Sequence, residues 1–412
     1  MNATTLRPTE KDVIRNEFPV LHQLVNGHPL VYFDNAATTQ KPQRVIDALV
    51  AYYQSDNSNI HRGMHALAER ATRDFELTRE TLSGFINAAS SEEIIFVRGV
   101  TEAINLVASS YGGAFVKEGD EILVSGMEHH ANIVPWQFLC ERKKARLRVI
   151  PVSGEGELMV DDMDNLISEH TRVVAVNHVS NSLGTINPVK KIIRKAHAAG
   201  AVVLIDGAQA GGHLAIDVQD LDCDFYCLSA HKMYGPTGVG VLYGKKEILE
   251  EMPPYHGGGE MIREVTFEKT TFNDLPYKFE AGTPDIGGVV AFRQAIDFMA
   301  ELRSKNVLDL EQHLLEYATR ELSGLPGVRI IGTASEKAPV LSFVVDGLHA
   351  FDIGQMLDAR GIAVRTGHHC TQPLLRSLGV DGTVRASFAF YNTLEEVDRF
   401  IASLSRAISF LR

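Results

Sequence analysis

The sequence predicts an α/β chain: a large domain with a mainly parallel seven-stranded sheet flanked by helices, then a smaller α+β C-terminal domain. Three observations carry this. Short Val- and Ile-rich runs, "EEIIFV", "DEILVSG", "RLRVIPV", "TRVVAVNHV", "AVVLID", "DFYCLSA" and "GVGVLYG", are continuously apolar, as strands buried on both faces are. Helix-like segments separate them, and strand alternating with helix defines the class. After about residue 290 the alternation gives way to a different order of elements. In such a sheet, ligands are expected at the carboxyl ends of the strands.

Taken in order, the N-terminus opens with Thr9 and Asp12 three residues apart, which reads as a capping box starting a helix. In "NPVKKIIRKAHAAG", Ile192, Ile193 and Ala196 fall at helical spacing between an opening Pro188 and a closing Gly200. The long helical stretch "VVAFRQAIDFMAELRSKN" then leads to "VRIIG", "APVLSFVVDG", "IAVRTG" and "TVRASFAFYN". The expected division is an N-terminal segment, 1–30, packing with the small domain, a large domain, 31–290, and a small domain, 291–412.

The 412 residues are 45% hydrophobic and 22% charged, the balance of an ordinary globular protein large enough for two or three domains. A net charge of −12 argues against a nucleic-acid partner, which calls for a basic surface. No apolar run is long enough to cross a membrane, and the N-terminus lacks the apolar core of a signal peptide. Four cysteines, at 140, 223, 227 and 370, do not make a disulfide framework in so long a chain. A cytoplasmic protein with reduced thiols is expected.

Candidate chemistry begins at "LSAHKMYGPTG". Lys232 follows a core strand, where desolvation favours the neutral amine, and a neutral amine can condense with an aldehyde. A solvated loop lysine is the plain alternative. Asp206 ends the buried run "VVLID", where a carboxylate needs a cationic partner or good donors. A pyridinium nitrogen is such a partner and makes the ring an electron sink, although Asp206 could equally cap the next helix. Gln209, three residues on, could donate to an oxygen on the same ring. In "SGMEHHANIVPW", His129 and His130 are a poor chelate: one can lie flat over an aromatic ring while the other turns aside. "FVRGVTEAINLVA" places Thr101 at a helix start where a phosphate could sit, an ordinary cap being the alternative. Ser229 and His231 beside the lysine, and Thr283 in "FEAGTPD", add donors.

These stretches, with "VYFDNAATTQKP", "NIHRGMH", "HVSNSLGTINP", "RTGHHC" and "VRASFAFYNT", run in one order along nearly the whole chain. In that order the chain resembles the pyridoxal 5′-phosphate (PLP) enzymes of fold type I and the class V aminotransferase family, and within it the SUF-type cysteine desulfurases, or selenocysteine lyases. The resemblance implies that Lys232 bonds the PLP aldehyde, Asp206 pairs with the pyridine nitrogen, Gln209 contacts the phenolate oxygen and His129 stacks on the ring. It further implies that Thr101, Ser229 and His231 bind the phosphate, joined by Thr283 from the partner subunit of a homodimer with a shared active site. The resemblance likewise implies that Asn181 and Arg385 hold the substrate carboxylate and that Cys370 is the nucleophile. The implied reaction removes sulfur from L-cysteine, or selenium from L-selenocysteine, leaving L-alanine and a persulfide on Cys370. Lys232 takes the α-proton, and His129 is a candidate acid or base. The short "RTGHHC" loop further implies a separate sulfur-acceptor protein of the SUF system, serving iron–sulfur cluster assembly.

One departure is visible: Val100 stands where relatives often carry a hydroxyl, so a phosphate contact there must use its backbone N–H. Outside the resemblance, period-2 alternation places Cys223, Phe225 and Cys227 on one strand face as core residues, with Cys140 buried on a helix. "YHGGGEMI" reads as a glycine loop with no nucleotide motif. The rival readings are another fold type I enzyme, an aminotransferase or kynureninase-like lyase, and a metal-binding or sulfur-carrier protein built on the His-His and His-His-Cys clusters.

Overall fold

A computed structural model describes residues 13–304 and 309–412; the Thr9–Asp12 capping box lies outside them. The seven apolar runs become strands β1 (Ile94–Val97), β2 (Glu121–Ser125), β3 (Arg146–Ile150), β4 (Thr171–Asn177), β5 (Val202–Asp206), β6 (Phe225–Ser229) and β7 (Gly240–Gly244) of one sheet. Their order is β1-β7-β6-β5-β4-β2-β3. Only β7 runs antiparallel, against β1 and β6. Alternate residues feed two cores. Val174, Val176, Val203, Ile205 and Tyr226 enter one, while Val173, Ala175, Leu204, Phe225 and Cys227 enter the other. Because both faces are covered, the strands read as continuously apolar.

One detail of the sequence reading is corrected. Phe225 and Cys227 share a face, but Cys223 lies before β6 begins and packs on the opposite side with Tyr226 and Leu228. A two-residue period holds only inside the strand. Cys140 is buried on a helix, as expected.

The helices that position the site are α1 (Gln43–Ala51), α2 (Ala66–Phe85), α3 (Val100–Ser109), α4 (Val134–Lys143), α5 (Val189–Ala198) and α6 (Ile286–Ser304). In α5 the expected Ile192, Ile193 and Ala196 are buried, Pro188 precedes the first turn, and Gly200 takes the left-handed conformation at φ +77°. The glycine loop leads into a hairpin, Ile262–Val265 with Thr270–Phe272, which its polar sequence did not signal.

Beyond α6 stand α7 (Asp309–Ser323), β8 (Val328–Ile331), β9 (Val340–Val345), α8 (Ala350–Asp358), β10 (Arg365–Gly367), α9 (Gln372–Ser377), β11 (Thr383–Ser387) and α10 (Leu394–Leu411). The strands form an antiparallel sheet in the order β8-β9-β11-β10 with its own core. Helix α10 starts with a complete capping box between Thr393 and Glu396. The N-terminal stretch is bonded to this region: Arg15 meets Glu396 at 2.7 Å, and Val31–Tyr32 pairs in parallel with Ile362–Ala363. The change of pattern near residue 290 falls inside α6, whose Phe292, Ile296 and Phe298 pack in the large core.

Candidate active site

The carboxyl ends of β4, β5 and β6 and the turns after β1 and β2 surround a cavity of about 610 Å³. It is lined by Thr101, His129, Asn181, Asp206, Gln209, Ser229, His231, Lys232, Cys370 and Arg385. Of the residues expected in the site, only Thr283 lies elsewhere, exposed on the loop before α6, with its hydroxyl 3.5 Å from Asn59 Oδ1.

Asp206 ends β5 almost fully buried, its carboxylate accepting a hydrogen bond from the Ala208 N–H at 2.9 Å. Burial raises its carboxyl pKa, against the nearby Lys232, so an ionised Asp206 needs a cation beside it. Lys232 stands on the turn Ala230–Lys232 after β6. Burial pushes its amine down to about 8, with Asp206 opposing. The preceding carbonyl, of His231, accepts from the Thr39 N–H, the Thr38 hydroxyl and the Lys41 amine, each at 3.0 Å. The lysine's backbone is thereby fixed by the "ATTQK" stretch.

Gln209 donates one amide N–H to the Ala36 carbonyl at 2.7 Å. His129 caps the turn His130–Asn132: its Nδ1 accepts from the Ala131 N–H at 3.0 Å, which places the proton on Nε2. Burial first, then Lys232, hold its pKa at about 4, so the ring is neutral near pH 7. Beneath it, buried Glu128 accepts from the Asn177 N–H and the Asn132 amide, both at 2.8 Å.

At the opposite pole, Gly99 takes φ +154°, and α3 begins at Val100. The backbones are close there, since a Cβ on Gly240 would meet Gly99 Cα at 2.3 Å. The Val100 N–H donates to Ser229 Oγ at 2.9 Å. That amide is therefore spent inside the protein, which removes the contact that the sequence left to it. The Ser229 hydroxyl hydrogen, His231 and Thr101 remain.

The third pole is cationic. Arg385, on β11, is 2% exposed. It donates to the Asn181 carbonyl at 2.8 Å and to Asp34 Oδ1 at 3.0 Å, and its buried Nε–H has no partner. Arg365 pairs with it across the sheet and reaches Asp34 Oδ2 at 3.5 Å. Asp34 was missed as a site residue although "VYFDNAATTQKP" displays it: a carboxylate closing an apolar run invites the argument made for Asp206.

Cys370 is exposed, and it and buried His369 take φ of +58° and +51°. Left-handed backbone costs roughly 1 kcal/mol or more at each non-glycine residue, so the loop must be held. It is. Cys370 O accepts from the His130 N–H at 2.8 Å, the His130 ring accepts from the Gln372 N–H at 3.2 Å, Asn181 Nδ2 donates to the His369 carbonyl at 2.7 Å, and Ser182 meets Thr371 at 2.6 Å. Asn181, expected on a substrate carboxylate, thus has one amide hydrogen on this loop. Neither His130 nor His369 carried a role in the sequence reading. Adjacency of histidines on a line of text does not reveal which partner each ring finds.

The residues fit PLP. A buried carboxylate awaits a cationic ring atom, a desolvated amine lies in the same cavity, a neutral aromatic ring forms one wall, and the Ser229 and Thr101 hydroxyls gather with His231 at one end. Among the described residues no three His, Cys, Asp or Glu side chains converge as metal ligands.

Comparison with known proteins gives this site its setting. The family described as aminotransferase class-V matches residues 31–400, and the chain belongs to it. A curated cysteine desulfurase of Synechococcus elongatus is 54% identical over 95% of the chain, and a Salmonella agona cysteine desulfurase is 51% identical over 97%. The chain spans 63% of the length of the first and 98% of the second; against a probable cysteine desulfurase of Mycolicibacterium paratuberculosis it spans 57%. Among solved structures, an Escherichia coli cysteine desulfurase superposes with a TM-score of 0.90 at 40% identity, covering 97% of this chain and 98% of that one. One from Thermococcus onnurineus gives 0.92 at 36%, covering 99% and 100%.

Proposed function

We propose that the protein is a PLP-dependent cysteine desulfurase, which removes sulfur from L-cysteine, or selenium from L-selenocysteine, and leaves L-alanine with a persulfide on Cys370. The observation that carries the reading is the placing of an exposed thiol, on a strained and clamped loop, in the same cavity as Lys232, Asp206 and Arg385. An aminotransferase or kynureninase-like lyase has no use for that thiol. Relatives at 51–54% identity carry the same activity in their names.

When bound, PLP supplies an electron sink for charge developing at the substrate's α-carbon. Asp206, ionised, would hold a cationic ring nitrogen, Gln209 an oxygen on the ring, and Thr101, Ser229 and His231 the phosphate. Lys232, with a pKa near 8, can accept the α-proton and return a proton to carbon close to neutral pH. His129, neutral, would lie against the ring with its Nε2–H available for proton transfer. Arg385 has an unspent Nε–H for the substrate carboxylate, which fits a planar fork, and Asn181 sits beside it. Cys370 as thiolate attacks the substrate sulfur: the new S–S bond forms as the C–S bond breaks, and the electron pair of that bond stays with the three-carbon product.

The finer assignments belong to the same proposal: a homodimer in which Thr283 completes the partner's phosphate site, an acceptor protein of the SUF system that takes the persulfide sulfur toward iron–sulfur clusters, and a cytoplasmic setting. Among the described residues no helix is long and apolar enough to cross a membrane. The division into 1–30, 31–290 and 291–412 is likewise proposed, with α6 bridging the last two.

The test is incubation of the PLP-loaded protein with L-cysteine, assaying alanine and the mass of the Cys370 peptide. A gain of one sulfur, with alanine formed, is expected. Cys370→Ala should lower alanine formation at least ~100-fold while the cofactor's visible absorbance stays. Unchanged alanine formation in that variant would refute the nucleophile, and amino transfer without sulfide chemistry would refute the desulfurase.

A further inference from the structure

The pair His129–His130 leaves one histidine without a role. His129 faces the cavity, while the His130 ring turns toward the nucleophile loop. Three facts define what it meets there. The backbone N–H of His130 donates to the Cys370 carbonyl at 2.8 Å. Its Nε2 accepts from the N–H of Gln372, the first residue of α9, at 3.2 Å. The residue before α9, Thr371, makes no side-chain cap, because its hydroxyl donates to the His368 carbonyl at 2.9 Å and meets Ser182. The first N–H groups of a helix have no partner in the helix itself. Here an imidazole from another part of the chain takes the place of the missing cap.

We propose that His130 is a positioning residue for Cys370, holding the loop at the Cys370 carbonyl and again two residues on, at Gln372, and tying it to the turn that carries His129. This rests on the desulfurase reading for its kinetic consequence but not for its structural one. The ring-facing His129 and the loop-gripping His130 are consecutive in one turn, so the distance from cofactor wall to thiol is set by a single rigid piece. Only a neutral imidazole can accept the Gln372 N–H, and burial together with His368 lowers the His130 pKa in agreement. Without the ring, the loop that carries left-handed His369 and Cys370 loses its tie at Gln372.

The experiment uses the PLP-loaded protein with His130→Ala and His130→Gln. Cys370 is the one exposed cysteine among the described residues, so iodoacetamide alkylation, followed on its peptide, reports how tightly the loop restrains the thiol. In His130→Ala the alkylation rate should rise about fivefold, the factor that corresponds to one hydrogen bond no longer restraining the loop. The kcat for alanine should fall about tenfold with KM for cysteine within about twofold and the cofactor absorbance intact. His130→Gln, whose amide oxygen can accept from Gln372, should recover most of both losses. A merely structural role would lower stability without separating kcat from KM and without rescue by an acceptor. Wild-type alkylation and kcat in His130→Ala, or His130→Gln behaving as Ala does, would overturn the proposal. Absence of alanine formation in the wild type would instead defeat the desulfurase reading, with alkylation still judging the loop.

Discussion

Burial sets the charge of each group in this cavity, and the consequences can be measured one side chain at a time. Lys232 has an amine pKa lowered by burial to about 8. Between about 8 and the ordinary 10.5 the folded chain binds fewer protons than the unfolded one at this site, so Lys232 makes stability increase as pH climbs through that window. Reductive methylation of the cofactor-free protein, read on the Lys232 peptide, should be half-maximal near pH 8. A midpoint near 10.5 would mean that the amine is solvated. Asp34 is the neutralising carboxylate for buried Arg385 and for Arg365. Asp34→Ala leaves the Arg385 charge uncompensated and should cost roughly 3 kcal/mol, seen as a lower denaturation midpoint in urea. Asp34→Asn, which can still accept a hydrogen bond, should cost less. These groups were only half legible in the sequence. Lys232 and Asp206 stand out because a charge at the end of an apolar strand demands a partner. Asp34 follows the same rule, yet its partners, Arg365 and Arg385, lie more than 300 residues away along the chain.

At the scale of elements, α2 is fastened to the sheet and to the Thr283 loop through one buried cation. Arg79, on α2, donates to Glu280 at 2.7 and 2.9 Å, to Glu76 at 2.8 Å and to the Ile94 carbonyl at 2.7 Å. Its guanidinium lies 4.6 Å from the centre of the Phe96 ring, and Glu280 also accepts the Phe96 N–H at 2.7 Å. Arg79→Met should lower stability by about 3–5 kcal/mol, because Glu280 is left buried without its cation. Adding Glu280→Met should restore more than half of that, which equilibrium unfolding of the single and double variants would show. If the double variant were as unstable as the sum of both singles, the pair would not be acting as a unit. Helix α5 illustrates what a sequence does convey about elements: Pro188, the apolar spacing and Gly200 gave start, face and stop. The hairpin after the glycine loop illustrates the opposite. Its strands are largely exposed, so no alternation of apolar and polar residues marks them.

For the molecule as a whole, the exposed position of Thr283, outside this chain's cavity, fits a phosphate ligand delivered to a second copy. Mixing decides it. Dimers of Lys232→Ala and Thr283→Ala chains should contain one intact site and regain up to about half the activity per mixed dimer when Thr283 acts in trans. When it acts in cis, mixing should regain none; when it has no role, Thr283→Ala alone should keep full activity. The assay is alanine formation after co-refolding, compared with each variant alone.

The sequence by itself determined the class of fold, the order of the motifs and the prominence of Lys232 and Asp206, because burial on both faces of a parallel sheet imposes apolar runs and makes any charge at their ends conspicuous; Cys370 came forward only through the family resemblance. Tertiary structure alone decided that the Val100 N–H is spent on Ser229, that Asp34 neutralises two arginines, that Cys223 belongs to the other core, and that the second histidine of "EHH" holds the loop of the second "HH". Hydrogen bonds and ion pairs act over about 3 Å in space and have no period along the chain.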